Sequence, residues 1–101
     1  MIKFNVGKVS EVPINGMKCF KVEENEILVI NDRGKWYAIE NLCTHRQTPL
    51  EQGFVQNGCI TCPFHGAEFN LETGKASFGI TIPNVRVFPI EIVNESIIIQ
   101  V

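Results

Sequence analysis

The sequence is short of histidine, tryptophan and tyrosine, with two, one and one residues respectively, and it has no strong excess of charge of either sign. Nine lysines and arginines stand against eleven aspartates and glutamates, giving a net charge of −2 at pH 7. The bases are scattered singly from Lys3 to Arg86. A nucleic-acid-binding module carries a basic excess or a basic cluster, so no nucleic-acid partner is expected. No apolar run comes near the roughly 18 residues of a transmembrane helix. The segment Met1-Ile2-Lys3-Phe4-Asn5-Val6 alternates in polarity and lacks the apolar stretch of an export signal. The expectation is therefore a cytoplasmic chain with no membrane contact. No Gly-x-Gly-x-x-Gly follows an apolar strand, which removes the usual flavin and nicotinamide fingerprint. Internal repeats, low-complexity stretches and capped helical stripes are also missing.

What is there is ordinary globular material. The 101 residues are 45% hydrophobic and 20% charged. That length predicts one domain over 1–101, able to bury roughly two-thirds of its unfolded surface without a staple. Short apolar or alternating runs recur between turn residues, an all-β pattern. Strands are predicted around Ile2 to Val6, Cys19 to Val22, Glu26 to Asn31 and Lys35 to Ile39. Others are predicted at Phe54-Val55, Cys59 to Thr61, Glu68 to Leu71, Lys75 to Ser77, Arg86 to Val93 and Ser96 to Val101. Asn57-Gly58 is a strong hairpin signal, and Pro89 predicts an edge or bulge inside its run. The expected architecture is a small antiparallel sandwich or barrel.

The chemistry lies where cysteine and histidine meet. Cys43-Thr44-His45 and Cys62-Pro63-Phe64-His65 leave only one or two residues between each histidine of the chain and a cysteine, with sixteen residues between His45 and Cys62. Each pair falls in a predicted loop at a strand end, where a short backbone can aim two side chains at one point. Two thiolates and two imidazoles leave two readings open. One is a structural tetrahedral zinc in a module that only binds a partner. The other is a [2Fe–2S] cluster with cysteines on one iron and histidines on the other. Mixed pairs favour the cluster, because zinc modules usually pair like with like. The remaining cysteines have plainer readings: Cys19 as a small buried hydrophobe, and Cys59 as core despite forming Cys-x-x-Cys with Cys62. Trp36 and Tyr37 are expected to pack, and Glu51, Glu68 and Glu72 to be surface charge or an acidic face toward a basic partner.

The two boxes, with Pro49-Leu50-Glu51-Gln52-Gly53 and Phe69-Asn70-Leu71-Glu72-Thr73-Gly74-Lys75, resemble the cluster-binding segments of Rieske [2Fe–2S] proteins. The likeness covers about positions 35 to 90. It implies three stacked antiparallel sheets, with Cys43 and Cys62 on the inner iron and His45 and His65 on the outer, solvent-near iron. The extra cysteine pair of cytochrome bc Rieske proteins corresponds to Thr48 and Phe64, so their disulfide cannot form. Both histidines are used by the cluster, which leaves none for the mononuclear iron of an oxygenase. Gln47 departs from the family's frequent glycine. The resemblance therefore implies a one-electron carrier like the soluble Rieske-type ferredoxins, taking electrons from a reductase and passing them to a terminal oxygenase. It has no catalytic residue of its own. The alternative within the family is the small subunit of a nitrite-reductase-like complex. Transient docking is expected at the histidine tip, inside an apolar collar of Pro49, Leu50, Phe64 and Pro83, with the segment 79–83 covering the cluster.

High-potential members of that family carry a serine and a tyrosine whose hydroxyls donate to cluster sulfurs. Ala67 and Phe69 stand at those positions and donate nothing. The expected potential lies toward the low end of the Rieske range, near roughly −150 mV. Protein-film voltammetry should find it raised in Ala67→Ser and in Phe69→Tyr. An unmoved potential in both would refute the placement.

Overall fold

The computed structural model describes residues 2–44, 48–63, 66–77 and 83–101. Among them are ten strands: β1 Lys3–Lys8, β2 Met17–Val22, β3 Asn25–Asp32, β4 Lys35–Glu40, β5 Phe54–Gln56, β6 Cys59–Thr61, β7 Glu68–Asn70, β8 Ala76–Ser77, β9 Ile90–Val93 and β10 Ser96–Gln100. Short 3₁₀ turns occupy Val9–Glu11 and Leu50–Gln52. The strands form three antiparallel sheets, ordered β1-β10-β9, β2-β3-β4 and β5-β6-β7-β8. The all-β expectation is thus met.

Local chemistry sets the hairpins. The β3–β4 and β5–β6 loops are two-residue turns, Arg33-Gly34 and Asn57-Gly58. Both residues of each have positive φ, at 55° and 93° and at 54° and 76°. That turn matches the right-handed twist of the strands it joins. The β9–β10 turn does the same with Asn94 and Glu95, at 48° and 68°. It does so without glycine.

The middle sheet carries the packing. All four residues Ile27-Leu28-Val29-Ile30 of β3 are buried. Leu28 and Ile30, with Ile39 of β4, pack on Leu50, Ile60, Phe69 and Leu71. Ile27 and Val29, with Ala38, pack on Ile97, Ile99, Phe88 and Val12. Successive side chains point to opposite faces, so one strand serves two cores. A continuous apolar run there, rather than an alternating one, records burial on both sides.

The run expected from Arg86 to Val93 does not form one strand. It divides at Pro89. Before it, Phe88 N–H donates to the Ala38 carbonyl at 2.8 Å, and the Arg86 carbonyl accepts from Glu40 N–H at 2.9 Å. After it, β9 pairs with β10. Proline cannot donate to a ladder, and here it marks the crossing from the middle sheet to the terminal sheet.

Gly74 ties the segment after residue 83 to the site-bearing sheet. Its N–H donates to the Asn70 carbonyl at 2.7 Å, and its carbonyl accepts from Val85 N–H at 2.9 Å. Its φ is +76°, and a Cβ there would collide with the Val85 carbonyl. Gly74→Ala should cost about 1–3 kcal/mol of unfolding free energy in urea denaturation. Gly34→Ala, also at positive φ but with open space around the added carbon, should cost less. Equal losses would show that the Val85 contact carries no weight.

Candidate metal centre

Two turns leaving two different strands build the site. After β4, Asn41 N–H donates to the Glu26 carbonyl at 2.9 Å, which continues the direction of the sheet. Cys43 follows with no exposed surface, and its N–H donates to the Thr48 carbonyl at 2.7 Å, closing the first loop on itself. After β6, Cys62 is only 1% exposed. Its N–H donates to the Ala67 carbonyl at 2.8 Å, and its carbonyl accepts from Gly66 N–H at 3.0 Å. Those bonds fold the second loop back into β7. The two sulfur side chains share one apolar core with Leu28, Ile39, Leu50, Ile60, Ala67 and Phe69. The Thr48 hydroxyl lies 3.9 Å from Cys62 Sγ, so Thr48 touches both cysteine segments.

His45 and His65 lie outside the described residues, as do Phe64, Arg46 and Gln47. Of the covering segment, Pro83 is described. Its carbonyl accepts a 2.6 Å hydrogen bond from the Thr44 hydroxyl, one residue from Cys43. Asn84 Oδ1 accepts from Ala76 N–H at 3.0 Å, which anchors the same segment to β8.

Several expectations are corrected here. Leu50 is not part of an exposed collar; it is fully buried, because the 3₁₀ turn it opens faces the core, while Pro49 and Pro83 stay exposed. Glu51 is exposed, as expected of surface charge, and it is also bound. Its Oε1 accepts from Asn41 Nδ2 and its N–H donates to Asn41 Oδ1, both at 3.1 Å. This reciprocal latch closes the base of the loop that carries Cys43. The two residues are ten positions apart in a stretch without periodicity, so no sequence pattern flagged them. The only signal was a lone asparagine between an apolar strand and a cysteine. Glu68 and Glu72 are exposed, as expected of surface charge.

Cys19 and Cys59 are half-buried rather than core. Burial pushes the Cys19 thiol up, against a hydrogen bond with the Asn41 side chain and with small additions from Glu51 and Glu26. Burial, helped by Glu68, also raises Cys59. Raised thiols remain protonated near neutral pH and make poor nucleophiles, which argues against a Cys59–Cys62 redox dithiol. Tyr37 packs on the core that holds Cys43 and Cys62, and Trp36 on the other one.

Ala67 and Phe69 are 2% and 0% exposed beside the two buried cysteines. Their side chains bring no polar hydrogen into that space. Two sulfurs in an apolar interior, on turns already closed by backbone hydrogen bonds, suit a soft thiolate-bound centre.

The Asn41–Glu51 latch has a measurable consequence. Glu51→Ala leaves the buried Asn41 amide short of a partner and should cost about 1–3 kcal/mol by urea denaturation. Glu51→Gln keeps an acceptor oxygen and should cost less than half as much. Equal stability of both variants and the parent would remove the latch from the description of the loop.

Comparison with known proteins matches this arrangement. The family model described as a Rieske [2Fe–2S] domain matches residues 2–89. The ferredoxin component of a naphthalene 1,2-dioxygenase system from Pseudomonas aeruginosa is 30% identical over 90 residues, covering 89% of this chain and 86% of that protein. The ferredoxin of carbazole 1,9a-dioxygenase from Nocardioides aromaticivorans IC177 superposes with a TM-score of 0.89 at 25% identity, covering 98% of this chain and 97% of that one. A chain in a complex of reduced oxygenase and oxidized ferredoxin of carbazole 1,9a-dioxygenase superposes at 0.85 with 26% identity, covering 97% and 92%. The three sheets, the paired cysteine turns and these matches have one conclusion: the chain belongs to the Rieske [2Fe–2S] family.

Proposed function

We propose that this chain is the ferredoxin component of an oxygenase system, an electron carrier with no catalytic step of its own. It takes single electrons from a reductase and delivers them to a terminal oxygenase. The observation that carries the reading is the convergence of Cys43 and Cys62 in one buried core, on turns from separate strands. The ligand set is Cys43 and Cys62 on the inner iron, with His45 and His65 on the outer iron. One folded unit spans 1–101. The working compartment is the cytoplasm; no helix among the described residues is long and apolar enough to cross a membrane.

The bound [2Fe–2S] group supplies one-electron chemistry at a potential set by its ligands and surroundings. The chain's residues do the rest. Leu50, Ile60, Ala67 and Phe69 keep water from the sulfur side. Ala67 and Phe69 add no donor there, which holds the potential low within the Rieske range. The Thr44–Pro83 hydrogen bond joins the first turn to the segment after residue 83. Docking is at the histidine tip, and Pro49 and Pro83, both exposed, offer apolar surface to a partner; Phe64, beside His65 in the sequence, is the residue to test there. A small patch suits a carrier that must leave its partner quickly.

The test is purification under nitrogen, followed by visible absorption and metal analysis. A red-brown protein with iron and acid-labile sulfide in equal amounts is expected. Cys43→Ala and Cys62→Ala should abolish the colour. Phe64→Asp should leave the spectrum intact while slowing electron transfer to an oxygenase about tenfold in stopped-flow mixing. A colourless protein holding one zinc would overturn the reading. A coloured Phe64→Asp protein with unchanged transfer rate would overturn only the docking face.

A further inference from the structure

Thr48 occupies an unusual place between the two cysteine turns. Its carbonyl accepts the Cys43 N–H at 2.7 Å, and its hydroxyl sits 3.9 Å from Cys62 Sγ in a part-buried setting. One residue therefore grips the first turn through its backbone and reaches the second through its side chain. As long as Cys62 is a thiol, either atom can donate. A thiolate has no proton and can only accept. Once Cys62 is a metal-bound thiolate, the direction is fixed, and the hydroxyl donates to sulfur.

We propose that Thr48 is a tuning residue of the centre: a non-covalent strap between the two cysteine turns whose hydroxyl donates to the Cys62 thiolate and raises the reduction potential. This rests on Cys62 being a ligand, as proposed above. The physical reason is charge. An added electron increases negative charge on the sulfurs, so a hydrogen bond to sulfur strengthens on reduction and favours the reduced state. Neither Ala67 nor Phe69 contributes a side-chain donor in that core. Thr48 therefore supplies what those two positions do not. Cys62 lies in the same buried core as Leu50, Ala67 and Phe69, so the sulfur end of the contact is kept from competing solvent.

The experiment compares the cluster-loaded parent with Thr48→Val, which keeps the shape and removes the hydroxyl, and Thr48→Ser, which keeps the hydroxyl. Visible absorption first establishes that each carries the cluster. Thr48→Val should then be harder to reduce, with its reduction equilibrium constant lowered by up to about tenfold, ~59 mV for a one-electron couple. Thr48→Ser should stay near the parent. Exchange into deuterium oxide should shift an iron–thiolate stretching band in the parent and in Thr48→Ser, and not in Thr48→Val. A purely structural strap would not produce that isotope pattern.

A coloured Thr48→Val protein with the parent's potential and the parent's isotope shift overturns the proposal and leaves the ligand assignment standing. A parent protein that binds no iron, or a Cys62→Ala protein that keeps the parent's spectrum, overturns the ligand assignment and the proposal with it. If Thr48→Val fails to load, the serine variant decides. A loaded Thr48→Ser protein that keeps the parent's potential and isotope shift supports the hydroxyl's role. One that loses the isotope shift refutes it.

Discussion

Two sulfur side chains from separate strands must meet inside an apolar core, and most of the molecule's construction answers that demand. Cys43 and Cys62 lie beyond the ends of β4 and β6, in different sheets. Bringing them together requires the middle sheet and the four-stranded sheet to pack face to face. Leu28, Ile30 and Ile39 on one side, with Ile60, Phe69 and Leu71 on the other, supply that packing. The two turns are then closed locally, by Cys43 N–H to Thr48 and by Cys62 N–H to Ala67. Each closing bond pairs the buried N–H of a cysteine within its own turn, so those two donors need no water.

The layering divides labour. The terminal sheet of β1, β10 and β9 packs on the far face of β3 through Ile97 and Ile99. It contributes stability and stands away from the cysteine turns. Pro89 marks where the chain passes from one sheet to the other. The near face belongs to the site, and there the polar side chains are spent on fixing loops: Asn41 with Glu51, Thr44 with Pro83, Asn84 with Ala76. Asn41 and Thr44 flank Cys43 closely in sequence, so side chains as well as backbone hold the first turn. A carrier benefits from such rigidity, because small movement on electron transfer means little reorganisation at the centre.

Much of this was legible in the sequence, for physical reasons that differ by element. The Asn57-Gly58 hairpin was readable because both positions require positive φ, which few residue pairs tolerate. The strand Glu26 to Asn31 was readable because burial on both faces demands an unbroken apolar run. The Cys–His boxes stood out because two rare residue types coincided twice. Less legible were features set by tertiary contact. Leu50 looked like a collar residue because it follows Pro49 in a loop, and only the 3₁₀ turn reveals that it faces inward. Glu51 looked like surface charge alone, because nothing local shows that Asn41 waits ten residues away. The Arg86 to Val93 run looked like one strand because both halves are extended, although they pair with different sheets. Thr48 was noticed only for what it could not do, which is form a disulfide. Its contact with Cys62 is a property of the folded loops.

The central proposal is that an electron is carried on a cluster held by two thiolates and two imidazoles. Electron paramagnetic resonance of the dithionite-reduced protein tests it most directly, because the average g value responds to the ligands of the reduced iron. An average below that of a four-cysteine [2Fe–2S] centre is the predicted result. An average matching the four-cysteine type, or the absence of any signal from an iron-containing protein, would contradict it.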